Sequence, residues 1–214
     1  MPPEQSLGSE VVAAIKSDLA PLAEEYGEAF LDSTFSDGLL KEIPVIGTVW
    51  RLGQAGFSIS DRVFTRKLRK FLVSLSRVST ADRQSMACRL ESEESFRGKV
   101  GERIVELLDR ADSVHKPEMI ARAFAAYARL SIDAAMLNRL HHAIQQLPHF
   151  ELRTVRVFHD SSPEERVKMS VDSLQALAAA GLARPLSAWG GLVYEPSDVC
   201  SAFVSLDLDD GLDR

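Results

Sequence analysis

Signatures of catalysis are what this sequence most plainly lacks. It has no Gly-x-x-x-x-Gly-Lys-Ser/Thr phosphate loop, no Gly-x-Gly-x-x-Gly, no His-Glu-x-x-His and no Gly-x-Ser-x-Gly elbow, which removes the common routes to phosphate, dinucleotide, zinc-protease and hydrolase chemistry. Cysteine is scarce. Cys88 and Cys200 are the only two and stand in no metal-ligand spacing, which fits reduced thiols in a reducing cytosol. The five histidines are scattered. His141 and His142 are adjacent, so on a helix they point about 100° apart and share no ion, and neither has the four-residue partner of a helical metal site. No metal and no cofactor are expected. The acidic end of the chain, from Asp207 to Asp213, has Gly211 where a calcium loop needs a ligand.

Long hydrophobic runs are missing too. The least charged stretch, residues 43–60, holds Arg51 and the glycines Gly47, Gly53 and Gly56, and falls short of the roughly 20 apolar residues that span a bilayer. Met1-Pro2-Pro3-Glu4-Gln5 has neither the basic start nor the apolar run of a signal peptide. The expectation is a cytoplasmic, non-enzymatic protein, at most peripheral to a membrane.

What is present is an ordinary globular composition, 45% hydrophobic and 26% charged, in a chain of 214 residues that can bury a real core. The net charge of -6 argues against a dedicated nucleic-acid binder, but the charge is unevenly spread. Residues 1–50 hold nine Asp/Glu against two lysines, whereas residues 51–77 hold seven Arg/Lys against Asp61 alone.

The dominant period is helical. Val100, Ile104, Leu107, Leu108 and Ala111 form one stripe, with Ser92, Glu93 and Glu94 as its expected start. Pro117 suits the first turn of the next helix, whose stripe is Ile120, Ala123, Phe124, Tyr127 and Leu130. Ser131 is the expected cap of a third, carrying Met136, Leu140, Ala143, Ile144 and Leu147 and stopped by Pro148. Ser79-x-x-Asp82 resembles a capping box. Beyond residue 153, Ser162-Pro163-Glu164-Glu165 starts an expected helix over 163–180 with the stripe Val167, Val171, Leu174 and Leu177, ended by Gly181. Residues 184–194 read as a β-hairpin turning at Gly190-Gly191, and Pro196 opens a last short helix. The fold class is therefore mainly α. A multi-helix bundle over 1–152 precedes a small winged-helix-like subdomain over 153–206 that contains the hairpin. A short, frayed acidic tail over 207–214 ends the chain.

Two surfaces are candidates for function. The first is the apolar run containing Ile46, Val49 and Trp50, which leads into a basic amphipathic helix carrying Arg62, Arg66, Lys67, Arg69 and Lys70. Five cations near an anionic surface contribute about 1 kcal/mol each, which matters when apolar residues insert as well. An anionic membrane surface or an acidic protein is the partner this pattern suits. Alternatively the cations pair internally with the acidic stripe Glu102, Glu106, Asp109 and Asp112. The second candidate is the helix over 163–180, as the reading helix of a winged-helix transcriptional regulator acting as a DNA-bound dimer. Glu164, Glu165 and Asp172 outnumber Arg166 and Lys168 there, so packing or dimerisation suits it better than phosphate contact.

Lys41-Glu42-Ile43-Pro44-Val45-Ile46-Gly47-Thr48, continued by Gly56-Phe57-Ser58-Ile59-Ser60-Asp61-Arg62 and Phe71-Leu72, resembles a pattern in small, uncharacterised bacterial helical proteins. The likeness extends to Phe96-Arg97-Gly98-Lys99-Val100-Gly101. Some of those proteins are grouped with phage-defence or abortive-infection genes. The resemblance implies a bacterial cytoplasmic protein acting on a membrane or partner during infection, and assigns no functional residues.

Overall fold

The computed structural model describes residues 6–19, 59–94, 96, 99–188 and 191–209. It is mainly helical, with one two-stranded antiparallel hairpin among the described residues near the C-terminus. The chain divides into two units between Ser131 and Ile132, earlier than the change of sequence texture at residue 153.

The first unit contains helices α1 (Leu7–Lys16), α2 (Ile59–Leu75), α3 (Thr80–Ser92), α4 (Val100–Arg110) and α5 (Lys116–Ala128). Each owes its face to the 3.6-residue period, and the stripes of α4 and α5 are buried as expected, except that Leu130 lies outside its helix and is exposed. α1 packs on α4 and α2 on α5, and α3 touches both α1 and α5. Between α2 and α5, Phe71 and Phe124 meet edge to face, with centroids 5.9 Å apart.

Helix starts follow local chemistry, with two corrections. Ser79 caps α3, accepting from the Asp82 amide and donating its hydroxyl to the Asp82 carboxylate at 2.6 Å. Ser92 instead ends α3, its Oγ bonded to the Arg89 carbonyl. α4 begins later, after Lys99, with no side-chain cap. Leu130 ends α5 in the left-handed conformation, φ 60°. The Ser131 amide then bonds back to the Ala126 carbonyl and that of Leu130 to Tyr127, a paired closure normally given to glycine.

The crossing of α1 and α4 depends on two glycines. A Cβ on Gly101 would lie 1.8 Å from the Gly8 carbonyl oxygen, and one on Gly8 would lie 2.6 Å from the Glu102 backbone nitrogen. The helices touch backbone to backbone, so no side chain fits between them.

Arg83 fastens the other end of α1 from α3. It is only 2% exposed. Its Nε donates to the Ile15 carbonyl at 2.9 Å and one terminal nitrogen donates to that of Ser17 at 2.6 Å. The other donates to the Val78 carbonyl. Ile15 and Ser17 flank the end of α1, where carbonyls have no helical donor and the backbone dipole favours a cation.

The second unit holds α6 (Ala134–Gln146), a 3-10 turn (His149–Glu151), α7 (Leu152–Asp160), α8 (Pro163–Arg166), α9 (Val171–Ala179), strands β1 (Ala183–Ala188) and β2 (Gly191–Pro196), and α10 (Asp198–Ser205). α6 belongs here because it packs on α10 and Arg139 forks onto Asp198 with two bonds of 2.6 Å. Its cap is Asp133, two residues past the expected Ser131. The expected helix over 163–180 is broken. The capping box at Ser162 and Glu165 is present, but it starts only the single turn of α8. Ser170, at φ -57° and ψ 134°, precedes the restart of the chain as α9 and makes no side-chain cap bond. Gly181 closes α9 with φ 76°, the Leu182 amide bonding to the Leu177 carbonyl at 2.8 Å.

The tail is not frayed where it is described. Arg156 grips Asp209 through bonds of 2.6 and 2.7 Å and Asp207 at 2.9 Å, and Leu208 is buried. Residues 210–214 lie outside the described residues.

Two substitutions check this account by urea unfolding of the full chain. Gly101→Ala destabilises by about 2 kcal/mol, because the backbone it strikes cannot move alone. Arg83→Met costs about 3 kcal/mol, because buried carbonyls lose their donor. An unchanged midpoint in either variant contradicts the packing described.

Candidate functional site

The basic segment is the first candidate. Ile46, Val49 and Trp50 lie outside the described residues, as do Gly47, Gly53 and Gly56. Arg62 is placed by backbone in α2, its side chain outside the description. Arg66 is exposed, with Val63 beside it on the same stretch. Lys67, Arg69 and Lys70 are buried. Lys67 Nζ donates to the Asp109 carbonyl, in the last turn of α4, at 2.9 Å. Burial lowers its pKa, partly offset by Asp109 and Asp112. Lys70 Nζ is 3.6 Å from Glu118 in the first turn of α5. Meanwhile Arg103 and Arg110 pair with Glu106 on their own helix, and Lys116 with Asp112. The structure thus does not gather the five cations on one exposed face.

A common device emerges in this unit. Lys67 reaches the end of α4 and Arg83 the end of α1, while one Arg89 nitrogen donates to the Tyr127 and Ala128 carbonyls at the end of α5. Arg89 also lies 4.7 Å over the Tyr127 ring. Burial raises the Tyr127 pKa, the Arg89 charge opposing it. These cations cap helices from outside, which is a structural use of charge.

The second candidate, expected as a single helix over 163–180, becomes one wall of a groove that was not visible in the sequence. In the second unit an open groove of about 460 Å³ runs between α8, α9 and β2. One wall is Val167, Met169, Val171 and Leu174, the other Leu192, Val193 and Tyr194. Val167, Val171 and Leu192 are 69%, 62% and 56% exposed. In an unbroken helix, Val167 and Val171 would share the buried stripe of Leu174 and Leu177. The break after α8 leaves only the latter two in the core. Glu164, Glu195 and Arg166 are the charged residues of the lining. Arg166 is drawn aside, its Nε on the Phe158 carbonyl at 3.1 Å and its guanidinium 5.5 Å from the Phe158 ring. Glu164 and Glu195 are exposed, and the groove is apolar with an acidic rim.

The hairpin forming one wall has a defined hydrogen-bonding phase. Ala183 pairs with Pro196 and Ala188 with Gly191. The Ser197 amide donates to the Leu182 carbonyl at 2.9 Å, continuing that register. Antiparallel pairs alternate between bonded and non-bonded, so 184/195, 186/193 and 188/191 exchange bonds, whereas 183/196, 185/194 and 187/192 do not. Pro185 and Pro196 both fall at non-bonded positions, where the missing N–H costs the ladder nothing. Arg184 and Glu195 face one another at 3.7 Å. Of the expected turn, Gly190 lies outside the described residues and Gly191 opens β2 with φ 143°.

Among the described residues no set of three or more His, Cys, Asp or Glu could hold a metal, and no helix is long and apolar enough to cross a membrane. A comparison of the chain with protein-family models, curated proteins and solved structures finds no match.

The cysteines differ sharply. Cys88 is exposed and Cys200 buried, and burial pushes the Cys200 thiol up to about 12. A disulfide reagent should therefore titrate Cys88 alone in the folded protein and both thiols in denaturant. The neutral Cys200 thiol supports stability fully below the ordinary thiol range, and that support is lost as the pH rises toward about 12. Equal reactivity of the two thiols in the native state contradicts the packing around α10.

Proposed function

We propose that this is a non-enzymatic interaction protein whose second unit takes an apolar, basic-flanked segment of a protein partner into the groove between α8–α9 and β2. The observation carrying this reading is the exposure of Val167, Val171 and Leu192 around one open, acid-rimmed concavity. Soluble proteins seldom expose clustered large apolar side chains without a use for them. The acidic rim favours a cationic partner.

The membrane-surface reading of residues 43–77 rests on the apolar run and Arg62, with Arg66 and Val63 as its described exposed part. Its link with phage defence rests on the sequence resemblance alone. For DNA, the cations of the second unit are poorly placed: Arg139, Arg156 and Arg184 each end on a carboxylate, and α9 carries Asp172 and no Lys or Arg.

Panning a random displayed-peptide library on the full chain tests the proposal. Enrichment of apolar sequences bearing Lys or Arg is expected. It should be lost with Val167→Asp/Val171→Asp protein that still unfolds at the normal midpoint, because both side chains are already largely in water. Enrichment that survives the double substitution, or no enrichment, defeats the groove reading. Co-sedimentation with anionic but not neutral vesicles, abolished by Arg62→Glu/Arg66→Glu, would move the acting surface to the first candidate.

A further inference from the structure

β2 has one edge bonded to β1 and another that borders the groove. The alternation fixed by the Ser197–Leu182 bond turns the N–H and C=O of Leu192 and Tyr194 away from β1. No strand pairs with them among the described residues. They are flanked by the apolar side chains of Val167, Met169 and Val171 across the groove. The outer edge of β1 differs: at the equivalent phase it presents Pro185, which has no N–H to offer, and Ser187. One edge of the hairpin is blunted and the other is open.

We infer that the occupant of the groove is an extended peptide that adds to β2 as a third, antiparallel or parallel, strand. This rests on the groove reading above and specifies how the partner is held. Leu192 and Tyr194 exchange backbone bonds with the incoming strand. Alternate side chains of that strand fall toward Val167, Met169 and Val171, and a lysine or arginine meets Glu164, Glu195 already facing Arg184. Pro196 lacks an N–H and so ends the donor row of β2, which sets a short footprint centred on residues 192–194. A helix offers no free backbone groups to this edge, so main-chain bonding distinguishes the two kinds of occupant.

The test uses the full chain and two synthetic probes: Lys-Val-Thr-Val-Lys-Val-Thr-Val-Lys, which alternates as a strand, and a Leu/Lys amphipathic helix of the same charge. The strand peptide is expected to bind, to slow hydrogen exchange at the Leu192 and Tyr194 amides, and to fail on the Val167→Asp/Val171→Asp protein. N-methylation scanned along its central residues should show a two-residue period. One phase weakens binding about tenfold or more and the other leaves it within about twofold, because only alternate amides face β2. Equal sensitivity in both phases, or unchanged exchange at Leu192 and Tyr194, overturns strand addition while the groove reading stands. Binding of the helical peptide alone, lost on the same variant, does likewise. If neither peptide binds at millimolar concentration, both readings fail.

Discussion

The end of a helix is an awkward place to bury, because its last carbonyls have no donor within the helix and carry the negative pole of its dipole. The first unit meets this constraint with cations borrowed from neighbouring helices. Arg83 is the clearest case. A planar fork of donors reaches the C-terminal end of α1 from α3, while Gly8 and Gly101 bring the N-terminal end of α1 against α4. Arg89 and Lys67 repeat the arrangement at α5 and α4. Helix ends can then sit inside the unit instead of projecting into water. The cost is desolvation, which lowers the pKa of both Arg83 and Lys67. Their charges are consequently committed to architecture, whatever a linear reading of the segment suggests.

That commitment explains why the fold was more legible in the sequence than the site. Periodicity reports which face of a helix is apolar, and it did so for α4 and α5. It does not report where a long cationic side chain ends, since Lys67 and Asp109 come together only through tertiary packing. The glycines behaved similarly. The backbone contact of Gly8 with Gly101 carried no signal, because these are single glycines on helices distant in sequence. The groove was hidden by a stripe that continued too far. Val167, Val171 and Leu174 keep helical spacing across a break that the backbone makes at Ser170, so residues fit for a core were left in water. The only local hint is the serine itself.

The second unit uses charge in another way. Three of its arginines, Arg139, Arg156 and Arg184, pair with carboxylates: Asp198, Asp207 and Asp209, and Glu195. Such pairs add little stability individually, but they tie α6 and α7 to α10 and the turn that follows it, and β1 to β2. The groove therefore borders elements tied at several points. Its capping box, its proline at the first turn and its glycine closure hold α8 and α9 locally, so the concavity is formed by backbone geometry more than by mobile side chains.

The placement of Pro185 bears on what happens at high concentration. A two-stranded hairpin with both edges open is a seed for indefinite stacking of sheet upon sheet, the route by which exposed strands aggregate. Here the outer flank of β1 carries Pro185, which cannot donate, so pairing β2 of one copy with β1 of the next in an endless row is disfavoured. The hairpin is in this sense one-sided: its blunted flank interrupts the head-to-tail pairing by which copies of it would polymerise.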